Sequence, residues 1–236
     1  MLKVEAPGGA REILLHACCA PCSGAILECL RDSGIVPVVF FSNSNIYPRA
    51  EYDLRLGEMR RYAETMGVEL VEDEYDHEAW LEAVRGLERE PERGARCAAC
   101  FRFRLGRAAR YAASRGLHVL ATTLASSRWK DLDQVNAAGI SACSAPLHGG
   151  SGLKTSFGPH RCASLAVPPL TLPRVARFSD PTAASVPQQA DVVFWAQNWR
   201  KGGLQERRNE VIREQGFYNQ NWCGCEFSRK QNPLNP

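Results

Sequence analysis

Short apolar runs alternate with longer amphipathic stretches through most of this chain. Residues 12–17 (EILLHA) form the first run, which leads into a pair of cysteines. Residues 36–41 (VPVVFF), 68–71 (VELV) and 117–123 (LHVLATT) have the length and β-branched content of buried strands. Between them, Ser23 to Asp32, Ala50 to Met66, His77 to Leu87, Arg96 to Arg115 and Lys130 to Ala138 place apolar residues at helical spacing. Gly34 and Gly67 stand where the first two helices would stop. Further on, DVVFW (191–195) reads as a strand and Leu204 to Gln215 as a helix. This alternation predicts an α/β fold, a mostly parallel sheet with flanking helices, followed by a cysteine-containing C-terminal segment. Ligands of such sheets bind beyond the carboxyl ends of the strands, and the first strand ends at the cysteines.

The pattern fails between residues 141 and 190. Seven of the 14 prolines fall there, no Asp or Glu occurs between Ser141 and Ser179, and neither period persists. A structureless loop of that length is unusual inside a compact domain. Residues 1–140 and 191–236 are therefore expected to form a single α/β domain, with 141–190 as an irregular, flexible insertion.

Composition adds limits. The chain has 236 residues, 44% hydrophobic and 23% charged, which is ordinary for a globular protein and excludes a disordered, collagen-like or coiled-coil chain. The net charge of +3 permits an RNA partner without arguing for one. No apolar stretch is long enough for a membrane span, and the run at Ile13 to Ala17 is too short for a signal peptide. A cytoplasmic protein with reduced thiols is the expectation.

That makes the 10 cysteines informative. Seven lie in three clusters: Cys18-Cys19-x-x-Cys22, Cys97-x-x-Cys100 and Cys223-x-Cys225. In a reducing compartment such groups are metal ligands or redox thiols sooner than disulfides. Thiolates select zinc or iron–sulfur clusters. Zinc knuckles usually pair their thiols across a short loop, whereas the first two groups here are more than 70 residues apart. Adjacent Cys18 and Cys19 suit separate iron corners better than one tetrahedral ion. Cys19-Ala20-Pro21-Cys22, at a strand end and helix start, also has a thioredoxin-like spacing. A Cys223–Cys225 disulfide would be strained and easily reduced, as a redox relay requires, though half of a metal site also fits. Cys29 and His16 read as core residues, and Cys143 and Cys162 receive no role. Arg102, Arg104, Arg107 and Arg110 read as a solvated helix face. No G-x-G-x-x-G, P-loop or G-x-S-x-G motif supports nicotinamide, nucleotide-phosphate or serine-hydrolase chemistry.

Several stretches together resemble the QueH-type epoxyqueuosine reductases. They are LLHACCAPCS (14–23), FSNSNIYPRAEYDLR (41–55), PERGARCAACFRFRL (91–105), TTLASSRWKD (122–131), NWRKGG (198–203) and FYNQNWCGCEFS (217–228). The order C-C-x-x-C, R-C-x-x-C, W-C-G-C is what makes the resemblance specific. It implies a nucleotide-hydrolase-like, Rossmann-like core. It also implies a [4Fe–4S] cluster on Cys18, Cys19, Cys97 and Cys100, and a redox-active pair at Cys223 and Cys225. Cys22 is left as a ligand of a second, mononuclear iron or as a substrate-facing thiol. The implied reaction reduces epoxyqueuosine to queuosine at the tRNA wobble position, with an external low-potential electron donor. Trp222 and Tyr218 are candidates to hold the base or to pack under the C-terminus. Ser44 and Arg128-Trp129 depart from the Pro and Pro-Tyr that the family pattern has there.

Overall fold

The computed structural model describes residues 2–144, 175–179 and 191–231. Six parallel strands form one sheet in the order β5-β3-β2-β1-β4-β6. Strand β1 (Glu12–His16) is the hub, with β2 (Val36–Phe41) on one side and β4 (Val119–Thr122) on the other. Beyond them lie β3 (Leu70–Asp73) and, at the far edge, β6 (Val193–Phe194). Ile13, Leu14, Leu15 and His16 are wholly buried, because both sheet faces are covered by helices. Each buried Ile or Leu contributes about 1.5–3 kcal/mol.

The helices are α1 (Ala20–Asp32), α2 (Arg49–Met66), α3 (His77–Ala83), α4 (Ala95–Ser114), α5 (Leu132–Ser144) and α6 (Leu204–Gln215). A short α7 (Glu226–Gln231) closes the described chain. The predicted strands and helices are all present, most within a few residues of their expected ends. The α5–β6 contact is the tightest: a Cβ on Gly139 would come within 2.2 Å of the Phe194 ring. Any larger residue there would force the sheet edge outward.

Two parts of the 141–190 span belong to the fold. Helix α5 runs on to Ser144, and β5 (Val175–Phe178) pairs with β3. Edge strand β5 is too short, in a stretch too rich in proline, to show a period. The expected flexible insertion otherwise lies outside the described residues, as does Cys162.

The helix-face expectation for the arginines needs a correction. Arg102 is exposed, but Arg104 and Arg107 are buried at 3% and 6% exposure. Arg107 donates to both oxygens of Asp73, at 2.5 and 2.8 Å, and Ser42 Oγ donates to the same carboxylate at 2.6 Å. Arg104 donates to Ser42 O at 3.1 Å and to Asn43 Oδ1. These guanidiniums cross-link α4 to the ends of β2 and β3, a task invisible to helical periodicity.

Strand order reverses between β1 and β4, since the chain steps outward from β1 to β3 and then returns to the other flank. That switch point opens a crevice at the strand carboxyl ends. The turns leaving β1, β2 and β4 line it, and the first carries the leading cysteine group.

Candidate active site

Cys18 follows β1 by two residues, and Cys19 caps the N-terminus of α1. The backbone there is tied on both sides. Ala17 N–H donates to Phe40 O at 2.8 Å, Cys18 N–H donates to Thr123 Oγ1 at 3.0 Å, and Asn43 Nδ2 donates to Ala17 O at 2.9 Å. Below the turn, His16 Nδ1 meets Thr122 Oγ1 at 2.8 Å and its Nε2 meets Ser42 O at 3.1 Å. Burial, and then the Arg104 charge, push its pKa down to about 3. His16 is thus a satisfied core histidine, as its apolar run suggests.

Cys18, Cys19 and Cys22 present three sulfurs within 4.8 Å of one another, a group that can hold a metal ion. Cys18 and Cys19 Sγ are 3.8 Å apart, and Thr123 Oγ1 donates to Cys18 Sγ at 3.3 Å. Neighbouring thiols and Thr123 favour a Cys18 thiolate, while Cys19 and Cys22 are held protonated by that same neighbour. Each sulfur is free of disulfide.

The second group sits in the first two turns of α4. Cys100 is buried with Trp80 and Val84, and Cys225 packs into that same cluster with Cys223 at its edge. Burial raises the Cys97 thiol to about 11, against the pull of the Arg93 N–H, which donates to Cys97 Sγ at 3.3 Å. Burial likewise raises Cys100, opposed by the Arg104 charge and the Trp80 indole. Charge on Cys223 acts on both Cys97 and Cys100.

The third group is brought in by an isolated antiparallel bridge between distant segments. Cys225 bridges Ile46 in antiparallel fashion, and Tyr47 N–H donates to Gly224 O at 2.9 Å. Gly224 has φ +99°, and a Cβ there would lie 2.8 Å from Ile46 and 3.0 Å from Arg55, so only glycine fits. Arg55 is 3% exposed. It is paired with Glu51 at 2.6 Å, donates to Cys223 O at 3.2 Å and lies 5.3 Å from the Trp222 ring centre. Trp222 therefore packs on a cation, whereas Tyr218 stays 39% exposed.

This anchoring gives a test. Arg55→Ala removes charge-assisted bonds of about 1.5–3 kcal/mol in total. Faster hydrogen exchange at the Tyr47 amide and faster alkylation of Cys223 are expected, with the Cys18 turn unaffected. Unchanged exchange at Tyr47 would show that the bridge holds without Arg55.

Lys130 links the groups. Burial lowers its pKa, but the charges of Cys18, Cys223 and Cys22 outweigh burial and raise it. Cys223 in turn is lowered by the Cys225 thiol, with help from Lys130 and Ser228, while Cys225 is raised by Cys223. Thiols of the first and third clusters thus act electrostatically on one lysine. The sulfurs within reach of one ion are Cys18, Cys19 and Cys22, which adds Cys22 to the sequence-based set, while Cys100 packs with Cys225 and Cys223. Lys130, Thr123 and Arg55 carried no singular signal in the sequence, although all three lie within the quoted stretches. Cys29 donates to Leu2 O as a core thiol, and Cys143 is a half-buried free thiol packed against the main core.

The family model described as "Epoxyqueuosine reductase QueH" matches residues 13–148 and 174–231. A protein of that name from Histophilus somni is 37% identical over 226 residues, covering 96% of this chain and 75% of its own length. Those from Haemophilus influenzae and Acinetobacter baylyi are each 35% identical, covering 96% of this chain and 75% and 84% of themselves. With the C-C-x-x-C group at the switch point, Cys100 packed with Cys225, and a match running from β1 to α7, this chain belongs to the QueH family of epoxyqueuosine reductases.

Proposed function

We propose that this chain reduces epoxyqueuosine in tRNA to queuosine, with an iron–sulfur cluster on Cys18, Cys19, Cys97 and Cys100 and Cys223 and Cys225 as its dithiol. The observation that carries the reading is the pair of sulfur groups in the fold: Cys18, Cys19 and Cys22 lie within reach of one ion at the end of β1, and Cys100 and Cys225 share one buried cluster with Cys223 at its edge. The donor set fits such a group: soft thiolates are its ligands, and Lys130 and Arg104 offset their charge. When bound, the cluster supplies low-potential single-electron transfer.

The chain's own residues account for the rest. Opening an epoxide to an alkene breaks both carbon–oxygen bonds, takes up two electrons and two protons, and releases water. Oxidation of the Cys223 thiolate and the Cys225 thiol to a disulfide supplies two electrons and one proton, and the Lys130 ammonium supplies the second proton, so the exchange balances. The bridge through Ile46, Tyr47 and Arg55 anchors the segment that carries these thiols. In this reading Lys130 neutralises the Cys223 thiolate and delivers its proton to the departing oxygen. An external low-potential donor of two electrons must then restore the dithiol. The base has to leave its stack to enter the crevice.

Anaerobic purification with iron and sulfide analysis tests the cofactor. At least four irons and four sulfides per chain with a visible chromophore are expected, and a fifth iron would place a mononuclear ion near Cys22. A colourless, iron-free protein after reconstitution would overturn it. For the reaction, tRNA from cells lacking the gene should accumulate epoxyqueuosine, and finding only queuosine there would remove the assignment.

A further inference from the structure

The turn between β4 and α5 is held in an unusual way. Four consecutive carbonyls, those of Ser127, Arg128, Trp129 and Lys130, are taken by two guanidiniums from other parts of the chain. Arg200 donates to Ser127 O at 2.6 Å and to Lys130 O at 2.8 Å. Arg93 donates to Trp129 O at 3.0 Å and to Arg128 O at 3.2 Å. Trp129 N–H also meets Ser127 Oγ at 3.3 Å. With the backbone bound inward, the side chains of Arg128 and Trp129 stand exposed. Trp129 is 75% exposed, the largest exposure among the big apolar side chains of the described residues. Arg128 and Arg93 are exposed beside it. The nearby carboxylate of Asp131 is engaged with the Asp133 and Gln134 amides at the start of α5.

This turn adjoins the crevice on two counts. Lys130, the next residue, is acted on by the charges of Cys18, Cys223 and Cys22. Arg93, which grips the Trp129 carbonyl, uses its own N–H on Cys97 Sγ. It does so with φ +66°, a left-handed backbone that a non-glycine residue rarely adopts. A rigid, solvent-facing indole among exposed cations, one residue from the chemistry, does nothing for stability. It is the arrangement that single-stranded RNA selects, since any unpaired base can stack on an aromatic face while arginines take the phosphates.

We propose that Trp129 is a stacking platform for an unpaired tRNA nucleotide adjoining the one in the crevice, and that Arg128 contacts the neighbouring phosphate. The proposal rests on the tRNA-modifying reading above and names residues for its substrate contact. The turn is ordered beforehand by Arg93 and Arg200, so binding pays little for fixing it.

The probe is a fluorescent anticodon stem-loop whose wobble position carries epoxyqueuosine, bound to the reconstituted holoenzyme and followed by anisotropy, alongside turnover kinetics. Trp129→Ala should weaken binding by about 10- to 100-fold, the range that loss of one base–aromatic stack gives. The loss should fall on KM far more than on kcat, and Trp129→Phe should recover most of it. Arg128→Ala should lower the slope of log affinity against log salt by about 0.7. A Trp129→Ala enzyme with wild-type affinity and KM would overturn the platform. So would one in which only the half-saturation for the electron donor changed, because Trp129 would then be a protein contact. The binding arm is independent of turnover. A wild-type protein that binds the stem-loop in a Trp129-dependent way but never reduces epoxyqueuosine would sink the reductase reading and leave the platform standing.

Discussion

Cys223→Ser should cost at least about a thousand-fold in turnover while the iron content stays at the wild-type level. A loss of that size is what removal of a covalently acting side chain produces elsewhere. The argument is one of electron count. A lone thiol at position 225 can release one electron and no disulfide can form, so the two-electron deoxygenation has no local store. Cys223 is also the thiol that the Cys225 hydrogen bond and Lys130 hold as thiolate, so serine removes the reactive member of the pair. Cys100→Ser provides the contrast, because it should lose iron as well as turnover. The two effects are read by iron analysis and by mass spectrometry of the tRNA nucleosides. Turnover within tenfold of wild type in Cys223→Ser would show that the pair is not the two-electron store. Loss of iron in that variant would make Cys223 a ligand instead.

The second large effect concerns folding. Asp73→Ala removes the carboxylate that Arg107 binds through both oxygens and that Ser42 Oγ also reaches. Its side chain is 1% exposed, and that of Arg107 is 7%. Truncating one member of a buried pair costs about 3–5 kcal/mol, mostly because the other charge stays desolvated. For a domain of this size that lowers Tm by about 10 °C. Thermal unfolding by circular dichroism measures it. Adding Arg107→Met should recover part of the loss, since an apolar side chain removes the desolvated charge. A Tm drop below about 2 °C would mean that the pair contributes no net stability. Damage should reach the site as well, because Ser42 O is an acceptor for both Arg104 and His16.

Most of the fold was legible in one dimension. Runs such as VPVVFF and the near-continuous burial of Ile13 to His16 follow from the demand that a parallel sheet be covered on both faces. Helix α6 has the expected ends, Leu204 and Gln215, and in the structure Gly203 and Gly216 cap it. Strand β5 escaped because its four residues lie at an edge in a proline-rich stretch. The burial of Arg104 and Arg107 escaped for a different reason. A helical wheel treats arginine as solvated, and only contact with Asp73, Ser42 and Asn43 makes a buried guanidinium tolerable.

The candidate site divides along the same line. Local sequence determined which residues could do soft-metal and dithiol chemistry, since the C-C-x-x-C, C-x-x-C and C-x-C spacings place sulfurs on single turns. It also determined the parallel sheet at whose carboxyl ends those turns emerge. Only the tertiary structure decided their company: Cys22 with Cys18 and Cys19, Cys225 with Cys100, and the Lys130 charge under the influence of Cys18, Cys223 and Cys22. The physical reason is range. Periodicity and turn chemistry act over a few residues, whereas the antiparallel bridge from Ile46 to Cys225 and the Arg55 bond to Cys223 O join segments well over 150 residues apart. Their partners exist only after the sheet has set the strand order.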